Sequence, residues 1–371
     1  MIKKDESVFV AGGTGMVGAA IIRKLLASGY TRIISNYHNR KPEPGAEPSV
    51  TFLSLDLTHQ RETEQFFESA RPRHVYLAAA RVGGILANET YPAQFIYDNI
   101  MIATNVINAA YKFSALKLLN LGSSCIYPKF APQPMKEEYL LTGPLEPTNE
   151  AYAIAKIAAI KLCRYFNEQY GTNFLSVMPT NLYGQYDNYN LETAHVLPAL
   201  IRKFHLAKLL RAGDFHALRV DLQARSLGFG LDDRPRIDNN DAIRSILESV
   251  GITSEYVMLW GSGDPYREFL HVDDLAAACV FLMDRYNCDD LGEFLNVGAG
   301  EDMPIKELAL LVKEIVGFEG ALHHDTTKKD GMPKKLLDSS RAKGLGWSPQ
   351  IGLAEGIRQT YAWYRQQHKS D

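Results

Sequence analysis

The sequence predicts an α/β protein: a Rossmann-type, doubly wound parallel sheet joined to a smaller C-terminal α/β part. Three observations carry that expectation. Through the first half, short apolar runs alternate with amphipathic stretches, the pattern of strands covered by helices on both faces. Four glycines, Gly12, Gly13, Gly15 and Gly18, gather where the first apolar run gives way to the first amphipathic stretch. After residue 180 the alternation loses its regularity.

The elements follow in order. "SVFVAGG" (7–13) reads as a buried strand, and 16–30 as a helix ending at Gly29. Further strands are expected at 32–37, 50–55, 74–80 and 116–122, with helices near 60–70 and 92–113. A long helix spans 149–171, closed by Gly171, and a strand follows at 173–179. Residues 193–206 read as helical. Residues 208–255 are polar and irregular, and read as an insertion with one helix at 240–251. A strand at 256–260 leads into 261–286, a loop followed by a helix. A strand at 293–297 and helices near 304–316 and 353–367 complete the chain. The expected division is a nucleotide-binding domain over 1–180, including helix 149–171, and a mainly substrate-binding part over 181–371. Some segments of the second part are expected to return to the first.

Composition narrows the function. The 371 residues are 46% hydrophobic and 22% charged, with a net charge of −3. The basic residues form no run or stripe, which argues against nucleic acid as a partner. No stretch has the apolar length of a membrane span, and no signal-peptide core precedes the first strand. Cys125, Cys163, Cys279 and Cys288 are scattered without metal-ligand spacing, so no metal is expected and a reduced, cytoplasmic setting is.

The glycine cluster sits between a strand and a helix, where a backbone must turn sharply and approach a pyrophosphate. The helix N-terminus then offers free N–H groups and a positive dipole end. An acidic residue after the second strand would select NAD by binding the ribose 2′-hydroxyl. Here "SNYHNRKP" (35–42) has no acid and carries His38, Arg40 and Lys41, so NADP is favoured, unless these cations merely face solvent. Asp56 either contacts the adenine or caps the next helix.

Tyr152 and Lys156 stand at i and i+4 on one face of helix 149–171. Lysine one turn away is expected to lower the phenol pKa and to hold the nicotinamide ribose. Such a tyrosine can deliver a proton to a carbonyl oxygen as hydride reaches the carbon. Ser123 and Ser124, after the fifth strand, are placed to hydrogen-bond that oxygen. Cys125 beside them reads, on its own, as a small core residue.

With the glycine turn, the serine pair and Tyr-x-x-x-Lys together, the sequence resembles the extended short-chain dehydrogenase/reductase family. "LGSSCIYPK", "LEPTNEAYAIAKIAAIKLC", "SVMPTNLYGQYDNYN", "HVLPALIRKFH", "WGSGDPYREFLHVDDLAAA" and "DGMPKKLLD" place it near that family's 3,5-epimerase/4-reductases of GDP-4-keto-6-deoxy-D-mannose. The likeness leaves out 208–255. It implies an NADPH-dependent epimerase and reductase yielding GDP-L-fucose, with Cys125 and His195 as the acid/base couple that inverts C3 and C5. It implies Ser123, Tyr152 and Lys156 for the carbonyl. It further implies cofactor contacts from Gly12, Gly15, Met16, Val17, Gly18, Arg40, Asp56, Leu57, Ala78, Ala79, Pro179, Asn181, Leu182 and His195. Lys203, Arg267 and Lys335 are implied for the substrate diphosphate. Trp260 is implied for the nucleotide pocket, with core packing as its alternative. A homodimer through the helices at 92–113 and 149–171 is implied as well.

Three features depart from the family pattern. Gly13 and Thr14 replace a histidine and a variable, often basic residue in the glycine turn. Lys203 stands where arginine is frequent, keeping the charge without the planar fork. The insertion is the third. Rival readings are an epimerase/reductase for another nucleotide 4-keto sugar, of colitose or heptose type, and a non-catalytic nucleotide-binding regulator. A 4,6-dehydratase is disfavoured because Cys125-Ile126 occupies the place of its Asp-Glu pair.

Overall fold

A run such as Val8–Ala11, apolar at every position, has to be covered on both sides, and in this computed structural model it is the centre of a sheet packed between helices. The structure describes residues 2–42, 49–232, 239–328 and 330–367. The first part contains β1 (Val8–Ala11), α1 (Met16–Ala27), β2 (Ile33–Tyr37), β3 (Val50–Ser54), α2 (Gln60–Ala70), β4 (His74–Leu77), α3 (Ile85–Thr90), α4 (Pro92–Lys112), β5 (Lys117–Leu121), α5 (Glu150–Tyr170) and β6 (Phe174–Pro179). Next come β7 (Asn181–Tyr183), α6 (Val196–Ala212), α7 (Phe215–Ala224), α8 (Asn240–Ser249), β8 (Tyr256–Trp260), β9 (Tyr266–His271), α9 (Val272–Arg285) and α10 (Cys288–Leu291). The last are β10 (Leu295–Val297), β11 (Asp302–Pro304), α11 (Ile305–Val316), β12 (Ala321–Asp325), β13 (Lys334–Lys335), α12 (Ser340–Gly344) and α13 (Leu353–Gln366).

Seven strands form one parallel sheet in the order β10-β6-β5-β4-β1-β2-β3. The order reverses between β1 and β4, and the crevice beyond the carboxyl ends of strands at such a point is where open α/β sheets take ligands. One face is buried by α1 and α9 through Ile21, Leu25, Leu275 and Leu282. The other is buried by α2, α4 and α5 through Phe67, Val106, Ile107 and Cys163. A separate apolar cluster unites α6, α7, α8, α11 and α13 in the C-terminal part. The edge strand β10 comes from that later half of the chain, pairing Leu295 with Val177.

Two expectations are corrected. Residues 266–271, inside the stretch read as a loop followed by a helix, form β9, which pairs with β11, β13 and β7. The charge in "REFLH" hid it: Glu268 is fully buried, and its carboxylate accepts hydrogen bonds from the backbone of Gly300 (2.7 Å) and Leu337 (3.0 Å). The insertion is also more regular than expected. α6 runs on to Ala212, and α7 lies inside it as well as α8; residues 233–238 of the insertion lie outside the described residues. Arg202 and Asp221 fasten it. The fully buried guanidinium bonds the Asp221 carboxylate (3.0 Å) and the carbonyls of Tyr189 (2.9 Å), Ser226 (2.6 Å) and Arg225 (2.7 Å). Tyr364 of α13 donates to the same carboxylate. A buried ion pair holds only when its remaining donors and lone pairs are also satisfied, and here they are shared among four segments.

Candidate active site

β5 ends at Leu121, and the chain turns at once into a short 3₁₀ segment, Ser124–Ile126, capped by Ser123. The Ser123 hydroxyl accepts the Cys125 N–H (3.3 Å) and lies near enough to the Tyr152 hydroxyl to draw its pKa down. Lys156, one turn along α5, is buried and donates to the Leu121 carbonyl (2.9 Å), with its ammonium 5.7 Å from the Tyr152 ring centre. Burial lowers the Lys156 pKa to about 8. The expected depression of the Tyr152 pKa is not found. Burial, and then the negative charge of Cys125, push the phenol up, with the nearby Ser123 hydroxyl opposing them. Tyr152 therefore keeps its proton at neutral pH.

The half-buried Cys125 sulfur accepts two hydrogen bonds, from Lys335 Nζ and from Asn149 Nδ2, each at 3.3 Å. Burial alone would raise the thiol pKa. The Lys335 ammonium and its hydrogen bond, the nearby Ser123 hydroxyl and the Arg267 charge outweigh it, so the net direction is down. Cys163 and Cys279 are buried free thiols whose pKa burial raises, and Cys288 lies at the start of α10. His195 is exposed at the N-cap position of α6, and the surrounding protein and then the Lys335 charge lower its pKa. The segment before His195 is gripped from two sides. Gly84 N–H donates to the Thr193 carbonyl (2.8 Å), and Phe229 N–H of the insertion donates to Glu192 (2.6 Å).

The glycine turn fits a dinucleotide. Gly12 has φ +83°, a conformation side chains resist, and a Cβ there would lie 2.9 Å from the Ala79 backbone; one on Gly18 would lie 2.1 Å from the Gly12 carbonyl. Ala78 and Ala79 thus border the turn, Gly15 caps α1, and Met16 and Val17 open it. Asn36 holds the Gly12 N–H (2.8 Å). Thr14, Arg23, Arg40, Lys41 and Tyr186 line an adjoining cavity of about 80 Å³. Arg40 and Lys41 fit a 2′-phosphate, while Arg23 is paired with Asp273 (2.6 Å); Arg40 stacks 5.2 Å from the Tyr186 ring centre. Asp56 spends one oxygen on Thr58, through N–H (2.9 Å) and hydroxyl (2.7 Å), and faces His38 (3.8 Å) with the other. Leu57 is buried and its carbonyl accepts from Asn105. Pro179 ends β6, while Asn181 and Leu182 belong to β7, with Asn181 bonded to the Glu268 carbonyl (2.8 Å).

The other implied cations bond backbone carbonyls. Arg267 bonds the carbonyls of Tyr266 (2.7 Å) and Met332 (2.6 Å). Lys203 bonds the Met258 carbonyl (3.0 Å), and burial lowers its pKa to about 8. Trp260 is 46% exposed, which sets aside core packing; the ammoniums of Lys203 and Lys328 lie 5.8 and 5.3 Å from its ring, and Phe229 meets it edge-on at 6.1 Å. Sequence reasoning missed Asn149, Phe229 and Tyr186. Asn149 stands three residues before Tyr152, a helical spacing that was open to notice.

A model of the NAD dependent epimerase/dehydratase family matches residues 8–232 and 230–298. The chain is 50% identical to a putative GDP-L-fucose synthase 2 of Arabidopsis thaliana, over 98% of this chain and 93% of that protein. It is 44% identical to a GDP-L-fucose synthase of Escherichia coli K12, over 97% and 96%. Among solved structures it is similar to a GDP-D-glycero-L-gluco-heptose synthase from Campylobacter jejuni in the presence of NADPH, at 35% identity, TM-score 0.80, and coverage of 98% and 99%.

Proposed function

The chain belongs to the NAD dependent epimerase/dehydratase family, and we propose that it inverts C3 and C5 of GDP-4-keto-6-deoxy-D-mannose and reduces the C4 ketone with NADPH, giving GDP-L-fucose. The observation that carries the reading is the meeting at Cys125 and Ser123: the sulfur accepts from Lys335 and Asn149, and the Ser123 hydroxyl, which accepts the Cys125 N–H, lies beside the Tyr152 phenol, so proton abstraction and carbonyl protonation are served from neighbouring groups. The C4 ketone acidifies the protons at C3 and C5. Cys125, as thiolate beside Lys335, accepts one of them, and Ser123 and Tyr152 hold the resulting enolate oxygen by hydrogen bonds. His195 returns a proton on the opposite face as the general acid of the couple. Bound NADPH supplies the hydride for C4. Tyr152, protonated at neutral pH, gives the matching proton to the C4 oxygen.

Two further parts of the reading are a homodimer and a cytoplasmic setting. Tyr97 and Tyr111 on α4, and Ile154, Tyr165 and Tyr170 on α5, are exposed apolar side chains on adjoining helices, which supports pairing through them. All four cysteines are free, and no helix among the described residues is long and apolar enough to cross a membrane. The test is product analysis by NMR after incubation with the keto sugar and NADPH. GDP-L-fucose is the expected product. Turnover only with a GDP-4-keto-heptose would move the assignment to that sugar class.

A further inference from the structure

Two groups bond the Cys125 sulfur, and one of them has no role in the chemistry so far. Lys335 has only hydrogens to offer, so the sulfur accepts from it as an anion would. Asn149 has a choice, since a side-chain amide can donate through nitrogen or accept through oxygen. It turns Nδ2 to the sulfur at 3.3 Å, and its Oδ1 is buried with no hydrogen-bond partner. Facing a neutral thiol, the amide would gain by turning that oxygen to accept the S–H proton. The arrangement found suits a sulfur that carries charge.

We propose that Asn149 is a positioning residue for the epimerisation, an amide donor that together with Lys335 holds Cys125 as the thiolate and aims its lone pair into the crevice. Asn149 precedes α5, and Tyr152 and Lys156 follow on that helix, so one helix start fixes both the acid/base sulfur and the phenol. Lys335 reaches the same sulfur from β13, next to Arg267 on β9. The proposal rests on the reading of Cys125 as the epimerising base, but its test does not require turnover.

The test is the rate of alkylation of the full-length protein by iodoacetamide against pH, with the site identified by mass spectrometry and Cys125→Ser as the blank. Wild type should show a Cys125 inflection below that of an ordinary thiol. Asn149→Ala should move it up by roughly one pH unit, the scale of one hydrogen bond to a charged group. Asn149→Asp, close in shape but negative, should move it up at least as far. Inflections within about 0.2 pH units of wild type in both variants would overturn the proposal. Should Asn149→Ala not fold, Asn149→Asp decides alone. If the inflections move while wild type exchanges no deuterium into the keto sugar, the thiolate clamp stands and the proposed function falls. If wild type exchanges deuterium and the inflections stay put, the function stands and the clamp falls.

Discussion

The surroundings of Cys125 and of Trp260 are built differently. Around the sulfur, polar groups are paired off: Ser123 with the Cys125 N–H, Lys335 and Asn149 with the sulfur, Lys156 with Leu121. At Trp260, an exposed indole stands with two ammoniums near its ring and an aromatic neighbour supplied by the insertion. Proton transfer needs reacting atoms held to within fractions of an ångström, and interlocked hydrogen bonds provide that. A base and a diphosphate need only a flat face and positive charge, which tolerate movement and substitution. The first should therefore fail in rate when altered, and the second in affinity.

The largest effect expected comes at the first. Tyr152→Phe should lower NADPH oxidation by about 10²–10⁴-fold, the range for a lost general acid. Deuterium exchange at C3 and C5, followed by NMR, should survive in part, because Ser123 and Cys125 remain. Equal loss of both would mean that the phenol serves the enolate as much as the reduction. At the second, Trp260→Ala should raise KM for the GDP-sugar by roughly tenfold, as loss of base stacking does, with kcat nearly kept. Phe229→Ala should do the same by a few-fold, on the order of the smaller aromatic-pair contribution. A fall in kcat with KM unchanged would erase the distinction between the two. The smallest effect is one of pH. Lys203, with its pKa lowered to about 8, is charged below that value and neutral above it. KM should therefore climb as pH passes 8, and Lys203→Arg, which stays charged, should flatten the climb.

The same contrast governs what could be read in advance. Ser123, Tyr152 and Lys156 were legible because their relation is local: a strand end, and a spacing of one helical turn. Asn149 lay between them in plain view, but its partner is a sulfur 24 residues away, and that sulfur's other partner is 210 residues off. No periodicity reports such a meeting. Lys335 was legible as a cation but not as the neighbour of Cys125. Tyr152 shows the limit of a pairwise argument: the expected help from Lys156 gave way to burial, which no residue spacing encodes. The insertion misled because Asp221 looks like surface charge in a string and is fully buried in the fold, paired with Arg202 of α6. Phe229 sits at φ +58° between two glycines, a turn that reads as loop and yet presents an aromatic ring to Trp260.

The edge strand β10 carries a consequence for biosynthesis. Until residue 297 has left the ribosome, β6 has an open flank, and until α9 emerges one apolar face of the sheet lacks its cover. The half that grips the dinucleotide is written first but is finished late. A nascent chain halted near residue 180 would expose a sticky β edge that chaperones have to shield, so the protein's yield in a cell depends on how quickly translation crosses the intervening insertion.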